Sequence, residues 1–239
     1  MLIKVLGIAA SPRKGNSLYL MEQALGTFDG QADLPFRVES EIYSLNQKKI
    51  GPCIACGACK EKKKCIIADD FPELFSKWVT ADVVLYSSPV YHLGIPAQLK
   101  AFFDRLGNTI RRYYGLESPK NLKVIGGIIQ GQHFYAGEEL SLSTILHHAV
   151  LLNSIPVPGD RWESYLGAVG WTKNIGDRNA MAGLKSAGDP DIELTLNSAR
   201  SMTKRAVELA AILKAGAQVL REQLAVDKSY YPLLSRLEE

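Results

Sequence analysis

A chain of 239 residues, 46% hydrophobic and 22% charged, is long enough for one well-buried α/β domain with additions, short for two full domains, and too apolar for wholesale disorder. The formal net charge of +3 is mildly basic, and no Lys/Arg run alternates with aromatic residues as a nucleic-acid groove requires, so no nucleic-acid partner is expected. All four cysteines lie between positions 53 and 65, which excludes a distributed disulfide framework, and no apolar stretch approaches the roughly 20 residues of a membrane span, so a cytoplasmic protein with no membrane partner is expected.

Residues 2–9 are aliphatic and β-branched and read as a first strand. The run is too short for a signal peptide and leads directly into the charged turn Pro12-Arg13-Lys14. The loop Ser11-Pro12-Arg13-Lys14-Gly15-Asn16-Ser17 follows, before helical periodicity from Leu18. It sets hydroxyls, an amide, a guanidinium and a glycine at a helix N-terminus, where free N–H groups and the helix dipole attract an anion. Ser11, Arg13, Asn16, Ser17 and Leu18 are therefore candidate phosphate-binding positions. A capped turn uses the same residue types. The loop lacks both Gly-x-x-x-x-Gly-Lys-Ser/Thr and Gly-x-Gly-x-x-Gly, which argues against a P-loop or a dinucleotide fingerprint.

Residues 36–45 alternate apolar and polar side chains, as a strand nearer a sheet edge does. Residues 69–81 form an amphipathic helix with Phe71, Leu74, Phe75 and Trp78 on one face, and 82–87 a buried strand. A helix over 96–106 opens with Pro96, a buried strand covers 122–129, a helix 138–152, and a short fifth strand 155–158. This alternation predicts a doubly wound parallel sheet with helices on both faces, whose ligand sits beyond the carboxyl ends of the strands. Residues 159–190 are rich in Gly, Trp, Asp and Asn with little periodicity and read as an irregular insertion: a lid, an interface arm or disorder. A long amphipathic helix over 191–217 ends the domain, and 218–239 form a C-terminal extension expected to pack on a neighbouring subunit.

The segment Ser88-Pro89-Val90-Tyr91-His92-Leu93-Gly94-Ile95-Pro96-Ala97-Gln98-Leu99-Lys100-Ala101-Phe102-Phe103-Asp104-Arg105 resembles the Pro-x-Tyr-x-x-x-x-Pro/Ser-Ala-x-Leu-Lys-x-Phe-x-Asp-Arg segment of the NAD(P)H-dependent FMN reductases, in the flavodoxin-like superfamily. The loop 11–17 resembles that family's Ser-x-Arg-x-x-Ser/Asn-Ser opening. The resemblance covers residues 1–158 and implies a flavodoxin-like sheet of five strands in the order 2-1-3-4-5, with FMN as cofactor. It implies that Pro89, Val90, Tyr91, His92, Leu93 and Gly94 wrap the isoalloxazine ring, partly through backbone groups. It also implies that Gly131 and Tyr135, in the loop 130–139, border the ring, with His133 as a further neighbour. Without it, Tyr91 reads as a core aromatic, His92 as a surface histidine, and His133 and Tyr135 as loop residues. By the same resemblance the protein is a homodimer or homotetramer.

Cys53, Cys56, Cys59 and Cys65 are spaced C-x2-C-x2-C-x5-C. Three cysteines at three-residue steps drift around a helix, whereas a loop with Gly57 can wrap them about one centre. Soft ligands in this number suit an iron–sulfur cluster or zinc; a reduced thiol group or a regulatory disulfide is the other reading. The compact motif resembles that of the iron-sulfur flavoproteins, a subgroup of the same family, which implies a [4Fe–4S] cluster near FMN. Lys62, Lys63 and Lys64 read as a solvated face or a docking surface for an acidic donor. The expected function is an FMN-dependent oxidoreductase that moves electrons from a ferredoxin-like donor or NAD(P)H to a small acceptor. The alternatives are a cluster-free NAD(P)H-dependent FMN or quinone reductase and a non-catalytic redox-sensing module.

Overall fold

The computed structural model describes residues 1–29, 35–160, 162 and 164–237; positions 161 and 163 of the expected insertion and 238 and 239 of the expected extension lie outside the described residues. One parallel sheet contains β1 (Leu2–Ala9), β2 (Arg37–Ser44), β3 (Val83–Pro89), β4 (Val124–Gly131), β5 (Ile155–Pro156) and β6 (Ala168–Trp171). The order β2-β1-β3-β4-β5 is the flavodoxin-like one expected, and every pair is parallel. Strand order reverses between β1 and β3, which makes the carboxyl ends of those strands the crevice where such sheets take a ligand.

Side chains alternate along the strands between two cores. Leu6, Ile8, Val84, Tyr86, Ile125 and Ile129 cluster with α3 (Phe71–Thr80), α4 (Ala97–Tyr114) and α5 (Glu138–Leu151). Ile3, Val5, Val83, Leu85, Val124 and Ile128 cluster with α1 (Asn16–Leu25) and α7 (Pro190–Val219). A further short helix, α2 (Ala58–Lys62), lies in the cysteine segment. Its presence corrects the expectation of an unbroken loop there.

The fifth strand position is shared by two segments, which corrects the single strand expected over 155–158. β5 pairs with Val124 and Ile125, and β6 pairs with β4 from Ile128 to Gly131, further along the same strand. Pro156 and Pro158 lack the N–H a ladder needs, so after Val157 donates to Ile125 O at 2.9 Å the chain leaves the sheet and returns at Ala168. The region expected to be irregular thus holds β6 and also α6 (Ala180–Ser186).

α7 starts at Pro190, where Asp189 accepts the N–H groups of Asp191 at 3.0 Å and Ile192 at 3.3 Å. The C-terminal extension contains α8 (Arg221–Ala225) and α9 (Tyr231–Leu234) and packs on its own domain: the Arg236 guanidinium bonds Asp82 Oδ1 at 3.2 Å and Asn121 O at 2.7 Å. Among the described residues no helix is long and apolar enough to cross a membrane.

Candidate functional site

The loop after β1 forms no capped turn: α1 begins after Gly15 without a side-chain cap, which leaves its first N–H groups outside the helical ladder. Ser11 is buried, its Oγ accepting the Arg13 N–H at 3.2 Å, and Ser17 is fully buried with Gln130 Nε2 3.5 Å from its Oγ. Arg13 is exposed and Leu18 half-buried. Asn16 is engaged at both ends, Oδ1 accepting the Met181 N–H at 3.0 Å and Nδ2 donating to Asp177 O at 3.3 Å.

The loop after β3 is a two-residue reversal. Val90 donates to Gln130 O at 2.9 Å, and Tyr91 and Gly94 exchange backbone bonds of 2.8 and 3.0 Å. Between them His92 (φ 47°) and Leu93 (φ 65°) are both left-handed, the geometry of a type I′ turn built without glycine. Non-glycine residues held this way cost of order 1 kcal/mol each and gather where a ligand is clamped. Tyr91, His92 and Leu93 are exposed.

The loop after β4 meets that turn. Gly137 (φ 105°) lies so close that a Cβ there would stand 2.6 Å from Leu93 Cα and O, so only glycine permits the contact. Glu138 is buried behind Gly131; its Oε2 accepts the Ala136 N–H at 2.7 Å and its Oε1 has no partner. Tyr135 (φ 55°) and Phe134 are 86% and 75% exposed, and Phe134 meets Trp171 edge-on at 5.4 Å. Beyond this loop, between α5, β6 and α7, a cavity of about 1000 Å³ runs from Leu93, Tyr135 and Gly137 to Val169, Trp171 and Leu194.

Cys53, Cys59 and Cys65 meet residues of α4. Arg105 is 1% exposed and donates to Cys65 Sγ at 3.3 Å, to both oxygens of Asp69 at 2.5 and 3.0 Å, and to Gly51 O at 3.2 Å. Burial works to raise the Asp69 carboxyl, but Arg105 and the N–H groups of Gly51 and Phe71 hold it below the usual range. One helical turn on, Asn108 Nδ2 lies 3.7 Å from Cys53 Sγ and Asn108 O 3.9 Å from Cys59 Sγ. All four thiols are free, with Cys53 and Cys56 exposed. The backbone turns sharply through Ala55, Gly57 and Lys63, all with positive φ. Among the described residues no three His, Cys, Asp or Glu side chains are drawn together in metal-binding geometry. The donor set, four soft thiols with N–H donors beside them, nevertheless suits a cluster.

Residues 3–162 match the family described as NADPH-dependent FMN reductase. The chain belongs to this family. An iron-sulfur flavoprotein of Methanocaldococcus jannaschii is 33% identical over 214 residues, 89% of this chain and 100% of the relative. One from Archaeoglobus fulgidus is 29% identical over 205 residues, 86% and 96% of the two chains. The chain is therefore a member of the iron-sulfur flavoprotein subgroup of the FMN reductases and an FMN-dependent oxidoreductase. The structure of RosB with a bound flavin intermediate shares the fold, with a TM-score of 0.60 at 16% identity over 92% of this chain and 87% of that one. An azoreductase from Bacillus anthracis does so at a TM-score of 0.53 and 16% identity, covering 86% and 99%.

Within this FMN reductase fold, the candidate phosphate and ring residues do come together at one end of the sheet. Sequence reasoning missed the chain from Trp171 to Met181, which runs along the loop after β4 and reaches the start of α1 at Asn16. Its one legible signal is the density of Asn, Asp, Gly and Arg over 174–179, which marks a turn-rich segment but not its destination.

Proposed function

We propose that the protein is an electron-transfer flavoprotein. It holds FMN across the loops at the carboxyl ends of β1, β3 and β4, and a [4Fe–4S] cluster on Cys53, Cys56, Cys59 and Cys65. It reduces a small acceptor with electrons from a ferredoxin-like donor or NAD(P)H. The supporting observation is the contact of Leu93 with Gly137 beside an uncapped helix N-terminus, at the point where strand order reverses. When bound, FMN supplies exchange of electrons in pairs or singly, and a [4Fe–4S] cluster supplies exchange of one at a time.

The chain's own residues do the positioning. Ser11, Arg13, Ser17 and the first amides of α1, to Leu18, hold the phosphate. Backbone groups from Pro89 and Val90 to Gly94 fix one edge of the ring, with Tyr91 and His92 beside it, and Gly131 and Tyr135 border the other. Arg105 and Asn108 donate toward sulfur and so offset thiolate charge. The exposed Lys62, Lys63 and Lys64 suit an acidic donor protein. Free thiols fit a reducing, cytoplasmic setting. The apolar side chains exposed around the cavity, Leu140, Tyr165 and Leu166 among them, support a homodimer or homotetramer.

The visible spectrum and iron content of protein purified without air test this reading. Flavin bands with a broad cluster shoulder and four irons per chain are expected. Flavin without iron, with rapid bleaching by NAD(P)H alone, selects instead a cluster-free NAD(P)H-dependent FMN or quinone reductase, a second reading favoured by the ungathered thiols.

A further inference from the structure

The segment 172–181 links the two ends of the flavin site. It leaves β6 beside Gly131, Thr172 donating to Gly131 O at 3.0 Å and Asn174 to Gln132 O at 2.8 Å. Lys173 (φ 52°) and Asn174 (φ 66°) then turn the chain back, closed by the Ile175 N–H on Thr172 O at 2.9 Å, and His133 Nδ1 meets Asn174 Oδ1 at 2.7 Å. The segment next crosses to the phosphate loop, where the two Asn16 bonds, to Asp177 O and Met181 N, pin it. There Arg178 lies against Gly15: a Cβ on that glycine would stand 2.5 Å from Arg178 O and 3.0 Å from Arg178 Cβ. Glycine is thus required at position 15 to let this strap approach, not to relax a turn, since its φ of 171° is extended backbone.

The charges on the strap are divided. Lys173 is held away by Asp189 at 2.5 Å and Asp191 at 2.9 Å. The Asp177 carboxylate accepts the Asn179 N–H at 2.6 Å. Arg178 is exposed and, among the described residues, forms no ion pair, although its Cβ borders the loop that carries Ser11, Arg13 and the first amides of α1. A guanidinium reaches several ångströms beyond its Cβ and binds phosphate through two N–H groups at once. Asn16, whose Oδ1 and Nδ2 both bond the strap, acts as its anchor.

We infer that residues 172–181 are a strap that completes the phosphate site, with Arg178 binding the 5′-phosphate of FMN, so that the chain selects FMN over riboflavin. The inference rests on the flavin reading above. It is tested by titrating flavin-free protein with FMN and with riboflavin, in the unaltered chain and in Arg178→Ala and Arg178→Lys. In Arg178→Ala the FMN affinity falls about 10- to 100-fold, riboflavin affinity is unchanged, and the preference collapses. Arg178→Lys restores part of it. Because Arg178 is exposed and forms no ion pair among the described residues, the thermal midpoint stays the same and serves as the folding control. An unchanged FMN-to-riboflavin ratio, or equal losses for both, overturns the strap. Failure of the unaltered chain to bind FMN overturns the flavin site itself.

Discussion

The two ends of the sheet are built differently. At the amino end Asp82 takes the Lys4 N–H at 3.0 Å, Lys214 Nζ at 3.1 Å and Arg236 Nε at 3.2 Å, while buried Lys123 donates to the carbonyls of Val79 and Ala81 over the Trp78 ring. Each of these charged groups has a partner, and the network ties Arg236, just beyond α9, to the sheet. At the carboxyl end Glu138 Oε1 has none, His92, Leu93 and Tyr135 are left-handed, and Phe134 and Tyr135 face solvent. One end meets its charges internally. The other leaves Glu138 Oε1 unpaired and aromatic side chains exposed, as suits a candidate ligand site.

The comparison breaks most visibly at Asp82. Replacing it with Ala leaves Lys214 and Arg236 buried beside an absent partner, and urea denaturation should show a loss of about 3–5 kcal/mol, with flavin affinity in the still-folded fraction unchanged. A loss of flavin affinity without a loss of stability would reverse the roles assigned to the two ends.

A smaller effect is expected from His148, stacked on Phe103 at 4.0 Å near the end of α5. Burial and the Lys100 charge, against Asp104, push it down from 6.5 to about 4. The unfolded chain therefore binds a proton that the folded one refuses over that interval. Its contribution to stability is whole above pH 6.5 and fades as the pH falls toward 4, by roughly 2–3 kcal/mol. Denaturation midpoints followed from pH 7 to 4 should fall less steeply in His148→Phe, where that proton is absent.

What could be read in the sequence follows from range. β1, β3 and β4 each hold a core of aliphatic residues and are almost wholly buried, so composition marks them. The loops after them carry local chemistry, and those that begin at Ser11 and Val90 follow β1 and β3 at the carboxyl end of the sheet. β6 was illegible because Ala168-Val169-Gly170-Trp171 is four residues with a glycine and no preceding helix. The pairs that decide its purpose are distant: Asn16 and Met181 are 165 residues apart, and Asp82 and Arg236 154. Neither periodicity nor propensity reports contacts of that kind. In the cysteine segment spacing singled out a candidate ligand set, but the contacts that Arg105 and Asn108 make with it depend on the turn-to-turn alignment of α4 against a distant loop.

The central claim is that the turn at His92 and Leu93 and the loop at Gly137 together receive a flavin. Fluorescence titration of flavin-free protein with FMN, run beside Gly137→Ala, addresses it most directly. The account predicts one FMN per chain at micromolar or tighter affinity, and at least a tenfold weakening in Gly137→Ala, whose added carbon collides with the Leu93 backbone. A folded chain that leaves FMN fluorescence unquenched, or a variant that binds it as well as the parent, would contradict the account.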